Sequence, residues 1–258
     1  MIEGSGTHAI SGIEILNWFH SGARAVRRQK KYLNAINVFP VADGDTGTNM
    51  ATTLQAMVDH SQHIPSFSTM IHRIAGAGMA YARGNSGIIF ASYVNGMAIN
   101  GASHESVTIR QFAGIVHKAV DYMYHVIENP MEGTMISVIR DWAAFLLQNH
   151  GQYERLKDLM SASCEKGMES VRRTADQLDV LRKNKVVDSG AAGFAHFLQG
   201  ITRFMKGDRA EDPRPQPAIP PLAATDEESG PYTFCTEVLL ETDASSAGLS
   251  RHFPHTIA

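Results

Sequence analysis

The stretch from Asn34 to Met50, NAINVFPVADGDTGTNM, decides which fold and which site we expect. Two carboxylates, Asp43 and Asp45, flank a single glycine, and small hydroxyl and amide residues follow. Gly44 lets the main chain turn tightly, so both carboxylates can point at one centre. Mg²⁺ takes one or two carboxylates and completes its octahedron with water and phosphate oxygens. The stretch therefore predicts a loop that binds a metal ion.

The residues after this loop are typical of the start of a helix. Thr46, Gly47, Thr48 and Asn49 offer main-chain N–H groups and side-chain donors, and a helix N-terminus is a natural phosphate site. The alternative is an Asx-turn followed by an N-cap, with no ligand at all. The loop by itself leaves both interpretations open.

Three further loops share this chemistry, and each precedes an apolar helical run. They contain Asn85-Ser86-Gly87, Gly133-Thr134-Met135 and Asp188-Ser189-Gly190. Taken singly, each is more often a plain turn with an N-cap. If all four loops align at one end of a helical bundle, their helix starts build a phosphate and metal site.

The spacing of apolar residues outside these loops predicts an all-α domain over the first 206 residues, with seven to nine helices. Proline is excluded from helix interiors, and only three prolines precede residue 207. Apolar residues recur at helical spacing in three stretches. These are Ile10, Ile13, Leu16 and Trp18; Ile109, Phe112, Val116, Ala119, Val120 and Met123; and Phe194, Phe197, Leu198, Ile201 and Met205.

The chain changes character after residue 206. Residues 207–231 hold five closely spaced prolines and many acids, which predicts a solvated linker. Residues 232–258 begin with the alternating, β-branched sequence YTFCTEVLLET, which indicates a strand. A single strand cannot bury itself. We therefore expect residues 232–258 to be the start of an incomplete α/β domain.

The overall composition excludes several classes of protein. Of 258 residues, 43% are hydrophobic, which is too many for a disordered chain. A net charge of −3 from 26 acids and 23 bases does not suggest a nucleic-acid partner. No apolar run is long enough for an integral membrane segment, and the N-terminus lacks the pattern of a signal peptide. With only two cysteines, these features make the cytoplasm the expected location.

The four motifs, in this order, resemble the dihydroxyacetone kinase L-subunit (DhaL-like) domain. More narrowly, they resemble the N-terminal domain of the ATP-binding subunit of bacterial fatty-acid kinase. The resemblance covers residues 8–206 and implies an antiparallel barrel of eight amphipathic helices. Such a barrel binds ATP or ADP with two Mg²⁺ ions at one end.

The resemblance also assigns residues. It implies that Asp43 and Asp45 are the catalytic metal ligands, and that Asn37, where the L-subunit has a third aspartate, is a provisional ligand. The residues expected to hold the nucleotide are Thr46, Gly47, Thr48, Asn49, Asn85, Ser86, Gly87, Gly133, Thr134, Met135, Asp188, Ser189 and Gly190. The sequence departs from the family at Ala42, where proline is usual, and at 191–192, where Ala-Ala replaces Gly-Lys.

The reaction implied by the resemblance is transfer of the γ-phosphoryl group of ATP to a fatty acid presented by a DegV-type binding protein. A carboxylate is already an anionic nucleophile, so no strong general base is required. Two alternatives stay open: a kinase subunit for dihydroxyacetone or another polyol, and an ADP-binding regulatory module without turnover. A homodimer also stays open.

Overall fold

The computed structural model describes residues 9–208, and ten α-helices make up most of this part of the chain. The predicted all-α domain is confirmed. The predicted strand segment, 232–258, lies outside the described residues, as does nearly all of the predicted linker. The helices are α1 (Gly12–Arg28), α2 (Lys30–Ala35), α3 (Thr46–Asp59), α4 (Phe67–Tyr81), α5 (Gly84–Gly101), α6 (Ile109–Val126), α7 (Met135–Asn149), α8 (Leu156–Gln177), α9 (Asp179–Asn184) and α10 (Ser189–Met205).

Eight of these helices are long, and they form a closed ring. Each packs against the next in the order α1, α3, α4, α5, α6, α7, α8 and α10, and α10 returns to α1. The expected eight-helix barrel is therefore confirmed. The helix count exceeds our estimate because α2 and α9, of six residues each, lie in the connections.

The alternation of helix direction places the site. Short connections make neighbouring helices in the ring antiparallel, so every second helix starts at the same end. The four helices that begin there are α3, α5, α7 and α10. This is why loops that are far apart in sequence can build one site.

The apolar faces predicted for α6 and α10 are buried almost throughout. The prediction for α1 is wrong in two places. Ile10 precedes the helix and pairs in an isolated antiparallel bridge with Val107, while the side chain of Ile13 is 38% exposed. Helix α1 begins after Ser11, which forms a reciprocal capping box with Glu14.

Aromatic rings fill the centre of the ring of helices. Phe90 packs edge-on against Phe19 and Phe197, and Trp142 packs edge-on against Phe194. Such contacts add about 0.5–1.5 kcal/mol each to the burial of the rings. None of the helices in residues 9–208 combines the length and apolarity needed to cross a bilayer.

Candidate functional site

The starts of α3, α5, α7 and α10 meet around one cleft of about 470 Å³. The structure thus brings together residues from all four of the predicted loops. Twelve residues expected at the site line the cleft. They are Asn37, Asp43, Asp45, Thr46, Asn49, Asn85, Ser86, Thr134, Met135, Asp188, Ser189 and Gly190.

The predicted metal-binding turn from Asp43 to Asp45, which we call the metal loop, holds two like charges together. Gly44 adopts the left-handed conformation, with φ at 66°, and this places Asp43 and Asp45 at the same side of the cleft. Partial desolvation and then the negative charge of Asp45 raise the pKa of Asp43. No cationic side chain of the described residues forms an ion pair with either carboxylate. A pair of this kind is stabilised by a bound cation.

The donor set of this loop fits Mg²⁺ and does not fit a metal site built wholly from protein. The described residues contain no group of three or more His, Cys, Asp or Glu side chains that could enclose a metal ion. Two carboxylates open to a cleft match the way in which Mg²⁺ is held in phosphate-transfer sites, where water and phosphate oxygens complete the shell.

The structure gives Asn37 a different task from the expected metal ligation. Its Oδ1 accepts hydrogen bonds from the main-chain N–H groups of Asp45 and Thr46, at 3.1 and 3.0 Å. Its Nδ2 donates to the carbonyl oxygens of Phe39 and Val41. Both lone pairs of the amide oxygen are thereby used. The expectation that Asn37 binds metal does not fit this geometry, because Asn37 caps α3 and folds the loop.

Two of the residues expected to hold phosphate at the start of α3 lie away from the cleft. Gly47 faces α2, where a β-carbon would collide with the carbonyl oxygen of Lys30. The main-chain N–H of Thr48 donates to Asn34 Oδ1 at 3.0 Å, and the Thr48 hydroxyl accepts from Asn34 Nδ2. These two residues dock α3 onto α2. The residues of this start that line the cleft are Thr46 and Asn49.

At the start of α5, too, some of the expected residues line the cleft and one faces another helix. Gly84, with φ at 60°, lies against the side chain of Asn49, so the first and second loops touch directly. Gly87 faces Thr53 of α3 and not the cleft. It therefore acts in helix packing. The residues that line the cleft beside Gly84 are Asn85 and Ser86.

Asp188 joins the starts of α7 and α10. Its Oδ2 accepts hydrogen bonds from the main-chain N–H groups of Met135 and Ala191, at 3.1 and 2.7 Å. Its own main-chain N–H donates to Thr174 of α8. Burial raises the pKa of Asp188 to about 6, and these two N–H bonds act in the opposite direction. The carboxylate is thus a buried cap that joins α7 and α10, and the main chain of Asp188 adds the link to α8.

The start of α7 carries the last loop. The hydroxyl of Thr134 donates to the carbonyl oxygen of Met131 at 2.6 Å, and Thr134 and Met135 line the cleft. Gly133, with φ at 83°, faces Gln177 and Leu178 instead. Gly133 therefore closes the turn and does not reach the cleft.

Sequence reasoning missed the apolar half of the cleft. The helix-start residues singled out in the sequence do not include the apolar lining. Three of the apolar residues, Phe39, Pro40 and Val41, lie in the stretch 34–50 that identified the loop. The apolar lining consists of Phe39, Pro40, Val41, Ile88, Ile89, Ile127, Met131 and Ile136. A ligand that fills the cleft needs an anionic end at the helix starts and an apolar face on the other side.

Comparison with known families agrees with this geometry. The family model described as the DAK2 domain matches residues 40–203, from the metal loop to the end of α10. The chain belongs to the DAK2 domain family. The four loops are thus the cleft of a DAK2 domain, which is the DhaL type of fold.

Curated relatives extend the likeness. An uncharacterised MG369 homologue from Mycoplasma pneumoniae is 34% identical over 198 residues, which is 73% of this chain and 35% of that protein. Protein YloV of Bacillus subtilis is 28% identical over 238 residues, covering 86% of this chain and 42% of YloV. The chain therefore spans well under half the length of these relatives.

A solved structure shares the fold. Dihydroxyacetone kinase from C. freundii, in complex with AMP-PNP and Mg²⁺, superimposes with a TM-score of 0.56 at 17% identity. The match covers 74% of this chain and 33% of the kinase chain. At this identity the likeness establishes the helical fold alone.

Proposed function

We propose that the cleft binds Mg·ATP and serves phosphoryl transfer. The observation that carries this proposal is the unpaired carboxylate pair, Asp43 and Asp45, facing a cleft that is formed by four helix starts. Helix starts favour phosphate groups, and the carboxylates favour the divalent cation that accompanies them. The match to a kinase solved with AMP-PNP and Mg²⁺ supports the same assignment.

Each part of the cleft has a role in this proposal. Asp43 and Asp45 hold Mg²⁺, whose charge neutralises phosphate oxygens during transfer when it is bound. The donors nearest the phosphates are Thr46, Asn49, Asn85, Ser86, Ser189 and Gly190. The apolar half accommodates the base. Gly47, Thr48, Gly87 and Gly133 contribute by packing the helix starts and not by touching the ligand.

The acceptor that we propose is the carboxylate of a fatty acid presented by a DegV-type binding protein. An oxygen of the carboxylate attacks the γ-phosphorus as the bond to the ADP oxygen breaks, which yields an acyl phosphate and ADP. No histidine of the described residues lines the cleft. An acceptor that is already anionic needs no general base, so a fatty-acid carboxylate can react in this cleft without one.

Two measurements test this function. Titration calorimetry should detect Mg·ADP binding that Asp45→Ala abolishes, and absence of binding to the wild-type chain would refute the nucleotide site. ATP consumption is then measured with a fatty-acid-loaded DegV-type protein, with dihydroxyacetone, and without an acceptor. Turnover only with the loaded protein supports the proposed acceptor, and turnover with dihydroxyacetone supports a polyol kinase. Tight ADP binding without turnover in any arm supports a regulatory module.

A further inference from the structure

One wall of the cleft is built differently from the others. Residues 127–134, which we call the wall segment, connect α6 to α7. They contribute the apolar side chains of Ile127 and Met131 and the polar residues Glu128, Asn129 and Thr134 to the cleft. None of the main-chain to main-chain hydrogen bonds found outside the helices of the described residues involves residues 128–133. The conformation of this wall therefore depends on side chains.

Glu132 is the side chain that anchors the wall segment most extensively. Its Oε1 accepts a hydrogen bond from the hydroxyl of Tyr124 at 2.6 Å. Its Oε2 accepts from the hydroxyl of Ser137 at 2.5 Å and from Nη1 of Arg140 at 2.6 Å. Ser137 Oγ in turn accepts from the main-chain N–H of Gly133 at 2.8 Å. One carboxylate thus joins the wall segment to α6 and to α7.

The charge state of this cluster suits an anchor at neutral pH. Partial burial opposes ionisation of Glu132, but the hydrogen bonds from Ser137 and Tyr124 and the charge of Arg140 leave its pKa below the usual value. Burial and the bond to Glu132 raise the pKa of Tyr124 to about 12, so its hydroxyl stays protonated as a donor. Charge-assisted bonds of this kind are stronger than bonds between neutral groups.

We propose that Glu132 is a positioning residue that fixes the wall segment as the apolar surface against which the base of a bound nucleotide packs. This inference rests on the proposed nucleotide site. Glu132 contributes through the wall and does not contact the phosphates. Its removal should therefore weaken ligands that carry a base and spare ligands that consist of phosphates alone.

The test compares Glu132→Gln and Tyr124→Phe with a matched control. Glu169→Gln is the control, because Glu169 is paired with Lys166 and Arg173 on α8 and its side chain is as exposed as that of Glu132, 50% against 52%. Glu169 does not line the cleft. Mg·ADP and Mg·tripolyphosphate are titrated into each variant, and hydrogen exchange is followed at the Gly133 amide, which donates to Ser137 Oγ.

For Glu132→Gln we expect the Kd of Mg·ADP to rise about tenfold, and for Tyr124→Phe about threefold, while the Kd of Mg·tripolyphosphate stays within about twofold. The Gly133 amide should exchange faster in both variants and not in Glu169→Gln. Tyr124→Phe removes one hydroxyl, so it keeps the test valid if Glu132→Gln folds poorly.

Two outcomes would overturn this inference. The first is unchanged ADP affinity together with unchanged exchange at the Gly133 amide. The second is equal weakening of ADP and tripolyphosphate, which indicates a general structural role. If the wild-type chain binds no Mg·ADP at all, the proposed function itself fails, so the two failures are distinguishable. If the wild-type chain binds ADP but not tripolyphosphate, the ADP affinities and the exchange rates of the variants decide whether Glu132 positions the wall segment.

Discussion

The metal loop and the start of α10 both place aspartates at the beginning of a helix, yet they use them in opposite ways. Asp45 is the N-cap of α3, but its side chain makes no capping hydrogen bond. Asn37 supplies the cap instead. Asp188 caps α10 with its own carboxylate and also binds the start of α7. Where a neighbour satisfies the helix start, the carboxylate is free for a ligand, and where none does, the carboxylate belongs to the fold.

The largest effect should come from the free carboxylates. Asp45→Ala should weaken Mg·ADP binding at least about 100-fold, because a ligand of the cation is lost. The melting temperature should stay the same or rise, because the repulsion with Asp43 disappears. Calorimetry measures the change in Mg·ADP binding, and thermal unfolding measures the change in melting temperature. A loss of stability with intact binding would show that the metal loop resembles the α10 start after all.

The next effect concerns stability. Asp188→Ala leaves the N–H groups of Met135 and Ala191 buried without an acceptor, which should lower the free energy of unfolding by about 3 kcal/mol. Asp188→Asn keeps an acceptor oxygen and should cost much less. Urea unfolding of both variants checks this. Equal losses would mean that the charge of Asp188, and not its hydrogen bonding, matters.

The pH dependence of Asp188 gives a third test. Its folded pKa of about 6 exceeds the usual value of 3.8, so the folded state binds more protons between those pH values. Stability should therefore fall as pH rises from about 4 to about 6 and then level off, by about 2–3 kcal/mol. Subtracting the stability-against-pH curve of Asp188→Asn from that of the wild type isolates the contribution of the Asp188 carboxyl group. A difference curve that is flat across this window would contradict the raised pKa.

The smallest effect should come from Asn37. Asn37→Ala removes the cap of α3 and should cost about 1–2 kcal/mol of stability, as measured by urea unfolding. Mg·ADP binding should survive, weakened only through the looser loop. The opposite result, with lost Mg²⁺ dependence at unchanged stability, would show that Asn37 is a metal ligand and that Asp45, not Asn37, satisfies the start of α3.

Much of the fold could be predicted from the chain. The periodicity over residues 109–123 and 194–205 marks α6 and α10, because a helix that buries one face repeats its apolar residues at that spacing. The same reasoning failed at Ile10. An isolated β-bridge pairs the main chain of Ile10 with that of Val107, nearly a hundred residues away, and no local sequence pattern predicts such a pairing.

The residues of the site likewise fall into those that the local sequence identifies and those that only the fold brings to the cleft. Asp43, Gly44 and Asp45 are recognisable in sequence, because the tight turn and the carboxylate pair are both local. The apolar wall around Ile127 and Met131 was missed, because the motifs were interpreted as helix starts and phosphate donors. These two residues share a cleft with the metal loop only when the ring of helices closes. Gly47 and Gly87 carry motif positions, yet they face other helices.

The sequence by itself determined the residue types available to the site: carboxylates, small donors and helix starts, each a property of a few consecutive residues. Tertiary structure decided which of them face the cleft. Helix direction alternates around a closed ring, so four separated starts share one end. At that end, the competition for buried N–H groups assigned Asp188 and Asn37 to the fold and left Asp43 and Asp45 without a capping role in a helix, because each buried donor takes the nearest acceptor that packing allows.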